Sequence, residues 1–138
     1  MRKTRDILIA LAAMVALTTA ALATDYQALR DDARVHGELV SASMAYVIDE
    51  QCTSIKLRKL RLVGKALSLR SYAKGLGYSG GEVDAYVNNQ TEQARFRKIA
   101  NSILAGKGAV NGNAASYCDV GRAEIAAGSY TGAILRGG

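Results

Sequence analysis

Proline and tryptophan are absent from the 138 residues, phenylalanine and histidine occur once each, and cysteine occurs twice. Without proline, no position carries the residue that breaks helices most firmly, so Gly and Asn must do the punctuating. One histidine, His36, and two cysteines without Cys-x-x-Cys or His-x-x-x-His spacing leave no ligand set for zinc and no thiol redox centre. Paired carboxylates at a glycosidase-like separation are missing too: Asp31-Asp32 and Asp49-Glu50 are adjacent in sequence and project to different sides of a helix. Ser129 has no histidine to activate it and reads as a helix N-cap. No cofactor-binding motif is present, and no metal centre is expected.

Long apolar runs are absent except for one, at the start. Arg2, Lys3 and Arg5 precede an apolar stretch from Ile7 to Ala23 interrupted only by two threonines, and Ala21-Leu22-Ala23 supplies a small-x-small cleavage pattern. The stretch is at the short limit for a bilayer span, and Thr24-Asp25 is no basic stop-transfer flank, so residues 1–23 are expected to be a cleaved signal peptide rather than a retained anchor. The remainder of the chain, residues 24–138, is expected to fold as a single helical domain with no stable membrane span, in the periplasm or outside the cell.

Setting aside the leader, 15 Lys and Arg face 11 Asp and Glu, a modest net charge of +4. A chain of this size buries about two-thirds of its surface, which leaves stability marginal without a crosslink. In an oxidising compartment Cys52 and Cys118 are expected to form one structural disulfide, worth about 4 kcal/mol on the chain-entropy model.

Apolar residues recur at three and four, so the chain reads as all-α, with four to six short helices. A first helix is expected over 37–50, with Val40, Met44, Val47 and Ile48 on one stripe, after a looser lead-in over 25–35. Thr53 or Ser54 should cap a long helix reaching Leu76. On it Leu57, Leu60, Val63, Gly64 and Leu67 form one apolar arc, and Ile55, Leu62, Ala66, Leu69 and Ala73 another. Two apolar arcs suggest packing on both sides, which makes this segment the expected central helix. Ser79 with Glu82, and Asn89 with Glu92, have capping-box spacing. A Gly/Asn-rich loop over 106–113 precedes a last segment carrying Tyr117, Cys118 and Ile125, then a final turn ending at Leu135. Gly121, Gly128 and Gly132 there imply close backbone approach or a deliberate break.

Leu76-Gly77-Tyr78-Ser79, the stretch from Glu82 to Tyr86, and Tyr117-Cys118-x-x-Gly121-Arg122-x-Glu124-Ile125 with Ser129, Gly132 and Leu135 carry a resemblance. Together they are similar to a family of small exported alphaproteobacterial proteins classed as a domain of unknown function. That resemblance implies a signal peptide, paired cysteines and an all-helical fold, and no known activity.

Two groups of residues invite a functional reading. Between Lys56 and Lys74 lie seven cations and no acid, and Arg58, Arg61 and Lys65 share a helix face with Ser68 and Tyr72. Such a stripe suits an anionic envelope component or an acidic envelope protein, or serves simply as a solvated face. Arg122 and Glu124 are the second group, Glu124 being either a structural ion pair with a cation of the long helix or a buried general acid. Nucleic acid is a poor partner, because export removes the protein from it and Tyr72 and Tyr78 alone form no stacking platform. A non-catalytic binding or structural module of the cell envelope is the reading these features favour. A client-binding chaperone or immunity-type inhibitor is the alternative, and an enzyme of unrecognised type a third.

Overall fold

The computed structural model describes residues 23–137, so the expected leader lies outside the described residues except for Ala23. Capping chemistry explains most helix boundaries. Asp32 is extended, and its carboxylate accepts the Val35 N–H at 2.8 Å; this separates the short helix α1 (Gln27–Asp31) from α2 (Ala33–Gln51). The cap starts α2 well before Gly37, so most of the expected lead-in is helical.

After Cys52 the chain does not re-enter a helix at Ser54. Ile55 and Leu57 point inward and Lys56 outward in strand β1 (Ile55–Leu57), and α3 (Lys59–Gly75) begins only afterwards. A capping box between Ser79 and Glu82 opens α4 (Gly80–Val87), and Asn89 accepts the Glu92 N–H to open α5 (Gln90–Gly106). Between α5 and the next helix the loop is tied down: Val110 N–H donates to the Ser116 hydroxyl at 2.8 Å, and Ala109 is buried. Asn113 then caps α6 (Ala114–Ala127), which ends at Gly128 in the left-handed region at φ 63°. Ser129 caps the four-residue α7 (Tyr130–Ala133), accepting the Gly132 N–H at 3.0 Å, as its sequence position suggests. The final turn stops short of Leu135, which instead enters strand β2 (Leu135–Gly137).

The described residues are mostly helical, with seven helices and one two-stranded antiparallel sheet. In that sheet Ile55 faces Gly137, Lys56 faces Arg136 and Leu57 faces Leu135.

The central helix is α2, which corrects the expectation for the segment from Ser54 to Leu76. Val35, Val40, Met44, Ala45, Val47 and Ile48 are buried on it, and α1, α5, α6, α7 and β1 pack around it. By contrast α3 buries only Leu69 and Ala73. Its inner arc, completed by Leu62, packs on the body, while its outer arc meets solvent, so two apolar arcs here do not mean two packed neighbours.

The Cys52–Cys118 disulfide forms with Cα atoms 5.2 Å apart, joining the C-cap of α2 to α6. Beside it Gly121 lets α6 approach β1, since a Cβ there would stand 2.6 Å from Ile55 Cδ1. At the opposite end Tyr26 stacks on Tyr78 and packs against Tyr86, which meets Phe96 edge-on; these rings fasten α1 to α4 and α5.

Candidate functional site

The cation run begins in β1 at Lys56 and continues along α3, and its geometry divides it in two. On the inner side Tyr72 donates its hydroxyl to Asp32 Oδ2 at 2.8 Å, and the Arg34 guanidinium lies 4.5 Å over the Tyr72 ring and reaches Ser68. Lys65 places its ammonium 4.2 Å from the Tyr130 ring centroid, and Arg61 donates to the Ala133 carbonyl at 3.4 Å. These contacts latch α3 onto α2 and α7. Lys65 and Tyr72 are therefore half-buried and engaged within the protein, whereas Arg58 and Arg61 remain exposed.

The outward side is different. Leu60 is 90% exposed, Val63 54% and Leu67 59%, forming an apolar ridge at helical spacing. Around its N-terminal end gather Arg58, Lys59, Arg61, Lys56 and Arg136, lining a shallow hollow whose one acid is Asp49. Lys56 Nζ lies 3.1 Å from Asp49 Oδ1, but its directed hydrogen bond goes to the Asp49 carbonyl oxygen at 2.9 Å. Lys56 and Arg136 stand directly opposite each other across the β1–β2 ladder, an arrangement that like charges disfavour. The N-cap of α3 is Arg58, which offers no acceptor, and its first turn contains no acid, so the positive end of the helix dipole adds to the same field.

A second concavity, of about 680 Å³, opens between α2, α3 and α5. Leu39, Ala42, Leu62, Leu69 and Phe96 form its apolar lining, and Glu50 and Arg97, paired with each other, stand on its wall. No sequence signal marked it, because its residues come from helices whose mutual placement is tertiary.

Glu124 is buried and structural. Its carboxylate pairs with Lys107 at 2.7 Å and accepts from the Ser129 hydroxyl, joining α6 to the C-cap of α5 and the N-cap of α7. The partner is thus Lys107, not a cation of the long helix, and Arg122 is exposed and pairs with Asp119. Burial pushes the Glu124 carboxyl up, but Lys107 and Ser129 outweigh it and hold the group below the ordinary carboxylate value. A general acid needs the opposite shift. Glu92, whose spacing from Asn89 marks it only as a capping residue, is the other buried acid: burial raises its pKa, while Arg30 at 2.6 Å and Arg95 at 2.9 Å bring it below the ordinary value. The signals available for it were Arg95 three residues on and the apolar Phe96 beside it.

Both carboxylates bind protons more weakly in the native state than in the unfolded chain. Their stabilisation is therefore complete above the unfolded carboxylate pKa, about 4.3, and drains away as pH falls through the lower native values. Melting temperature is expected to be flat from pH 7 to 5 and to fall below about pH 4. Replacing Glu92 and Glu124 together by glutamine should lower the neutral-pH midpoint and flatten the acid limb. An unchanged acid limb in that variant would refute the assignment.

His36 is half-buried in the first turn of α2, its ring 6.0 Å from that of Phe96. Among the described residues no helix is long and apolar enough to cross a membrane.

Comparison with curated proteins and with solved structures finds no match for this chain. A family model matches residues 27–136, from the start of α1 into β2. The chain belongs to that family, described as a family of unknown function (DUF5333).

Proposed function

We propose that the protein is a non-catalytic binding module of the cell envelope that engages an anionic component through the exposed cations at the N-terminal end of α3. The observation that carries this reading is the cluster of Arg58, Lys59, Arg61 and Arg136 beside Lys56, with Asp49 as its one acid. Opposed like charges across β1 and β2 are offset by Asp49 alone, so an anionic partner gains both direct attraction and relief of the remaining repulsion. Delivery to the envelope rests on the basic and apolar leader with its small-x-small end and is supported by the Cys52–Cys118 crosslink, which persists where thiols oxidise.

The test is capture of envelope components on the immobilised protein at low and high salt. Capture should weaken with salt, and reversing Arg58 and Lys59 to glutamate should reduce it at least about thirtyfold at low salt, since each surface cation contributes about 1 kcal/mol to attraction by an anionic surface. Salt-independent capture, or full capture by the reversed variant, would remove the cluster from the binding role.

The groove between α2, α3 and α5 favours a second reading, a client binder that takes an apolar segment between Leu39 and Phe96. Binding there would survive the charge reversal and resist salt, which separates the two readings.

A further inference from the structure

We infer that the anionic component is the surface of a bilayer containing anionic lipid, and that the outer face of α3 docks on it with Leu60, Val63 and Leu67 inserted among the headgroups. This deepens the binding reading above and rests on it. Two observations beyond the net charge of the cluster select a bilayer over an acidic protein. First, the apolar element is an exposed row: Leu60, on the lip of the cationic hollow, is 90% exposed, and Val63 and Leu67 are more than half exposed, so a soft medium can enclose side chains that a flat protein surface would leave partly in water. Secondly, the cations rim the same edge. Lys59 and Arg58 precede Leu60 in sequence, and Arg61 and Arg136 line the adjoining hollow, so phosphates at headgroup depth can meet them while the leucines lie just below. The helix would lie along the interface rather than cross it, consistent with seven cations between Lys56 and Lys74.

The inner latches make this geometry usable. Tyr72 on Asp32 and Lys65 on Tyr130 hold α3 by its other side, so the ridge faces outward without any rearrangement.

Sedimentation of the processed, oxidised protein with phosphatidylglycerol/phosphatidylcholine vesicles tests the proposal, with pure phosphatidylcholine vesicles as the comparison. Binding is expected to the anionic vesicles only. Leu60→Ser should lower the partition about tenfold or more, from the loss of one inserted leucine, and its circular dichroism should match the parent because the side chain it removes touches solvent. Reversal of Arg58 and Lys59 should lower partition by at least about thirtyfold, the loss of two cations at about 1 kcal/mol each before any repulsion is counted. Equal partition to both vesicle types, or full partition by Leu60→Ser, would overturn the inference. So would salt-sensitive capture of an acidic envelope protein with no vesicle binding, an outcome that leaves the broader reading standing. A dimer that Leu60→Ser dissolves would assign the ridge to a second copy and overturn it as well.

Discussion

The Cys52→Ser protein is expected to melt about 15 °C below the parent when both are produced under oxidising conditions and kept free of reductant. The crosslink closes a sequence separation of 66, for which the chain-entropy estimate is about 4 kcal/mol, and a domain of this length loses about 4 °C for each kcal/mol. Location adds to length. Cys52 is fully buried and is the C-cap of α2, so the crosslink joins the central helix directly to α6. Serine there leaves a hydroxyl in a site where the sulfur had only the Ser54 hydroxyl nearby, at 3.3 Å. A Cys52→Ala, Cys118→Ala double variant separates the two effects, because it removes the crosslink without burying a new polar group. Both variants should be insensitive to reductant, whereas the parent should fall to near their midpoint when reduced. A parent midpoint that neither reduction nor substitution moves would contradict a stabilising bridge.

Gly132→Ala should cost about 3 kcal/mol, or about 10 °C in midpoint, through a different mechanism. Gly132 lies in α7 against the last turns of α6, and a Cβ at that position would fall 2.0 Å from the Glu124 carbonyl oxygen and 2.7 Å from the Ile125 nitrogen. These are backbone atoms of a helix and cannot rotate aside, so α7 must move away from α6. Separation would also disturb Ser129, whose hydroxyl serves both the α7 cap and the buried Glu124 carboxylate. Gly37→Ala is the control. That glycine sits within α2 with open space around its missing Cβ, so alanine there should stabilise by about 0.5–1 kcal/mol. If the two substitutions shifted the midpoint alike, close approach at Gly132 would not be the cause. Thermal melts of the two variants beside the parent decide the matter.

Local signals in the chain map well onto local structure. Ser79, Asn89 and Ser129 cap the helices their spacing to the next residues suggests, and Gly121, Gly128 and Gly132 mark two close approaches and one left-handed turn. The cysteines pair as their even number and the expected oxidising compartment imply. Illegible features depend on partners remote in sequence. Ile55-Lys56-Leu57 alternates as a strand, yet three residues of alternation cannot be told from a helical run until Leu135 and Gly137 arrive beside them. The outer arc of α3 resembles a second packing face because apolar periodicity reports amphipathicity and not what lies opposite it. In the candidate site the cations from Lys56 to Arg61 are plain from sequence, but Arg136, brought beside them by β2, is not, and neither is the division between latching and free cations. Tyr72 is engaged by Asp32 and Arg34 and Lys65 by Tyr130, all of them distant along the chain.

The sparse burial of α3 has a consequence for how free energy is distributed through the molecule. With Leu69 and Ala73 as its only buried side chains, this helix can detach at lower cost than α2 or α5, and the strands and disulfide that anchor its neighbours need not open with it. A ligand that grips α3 therefore acts on a less cooperative unit than α2 or α5, and the tension it applies is absorbed there before it reaches them.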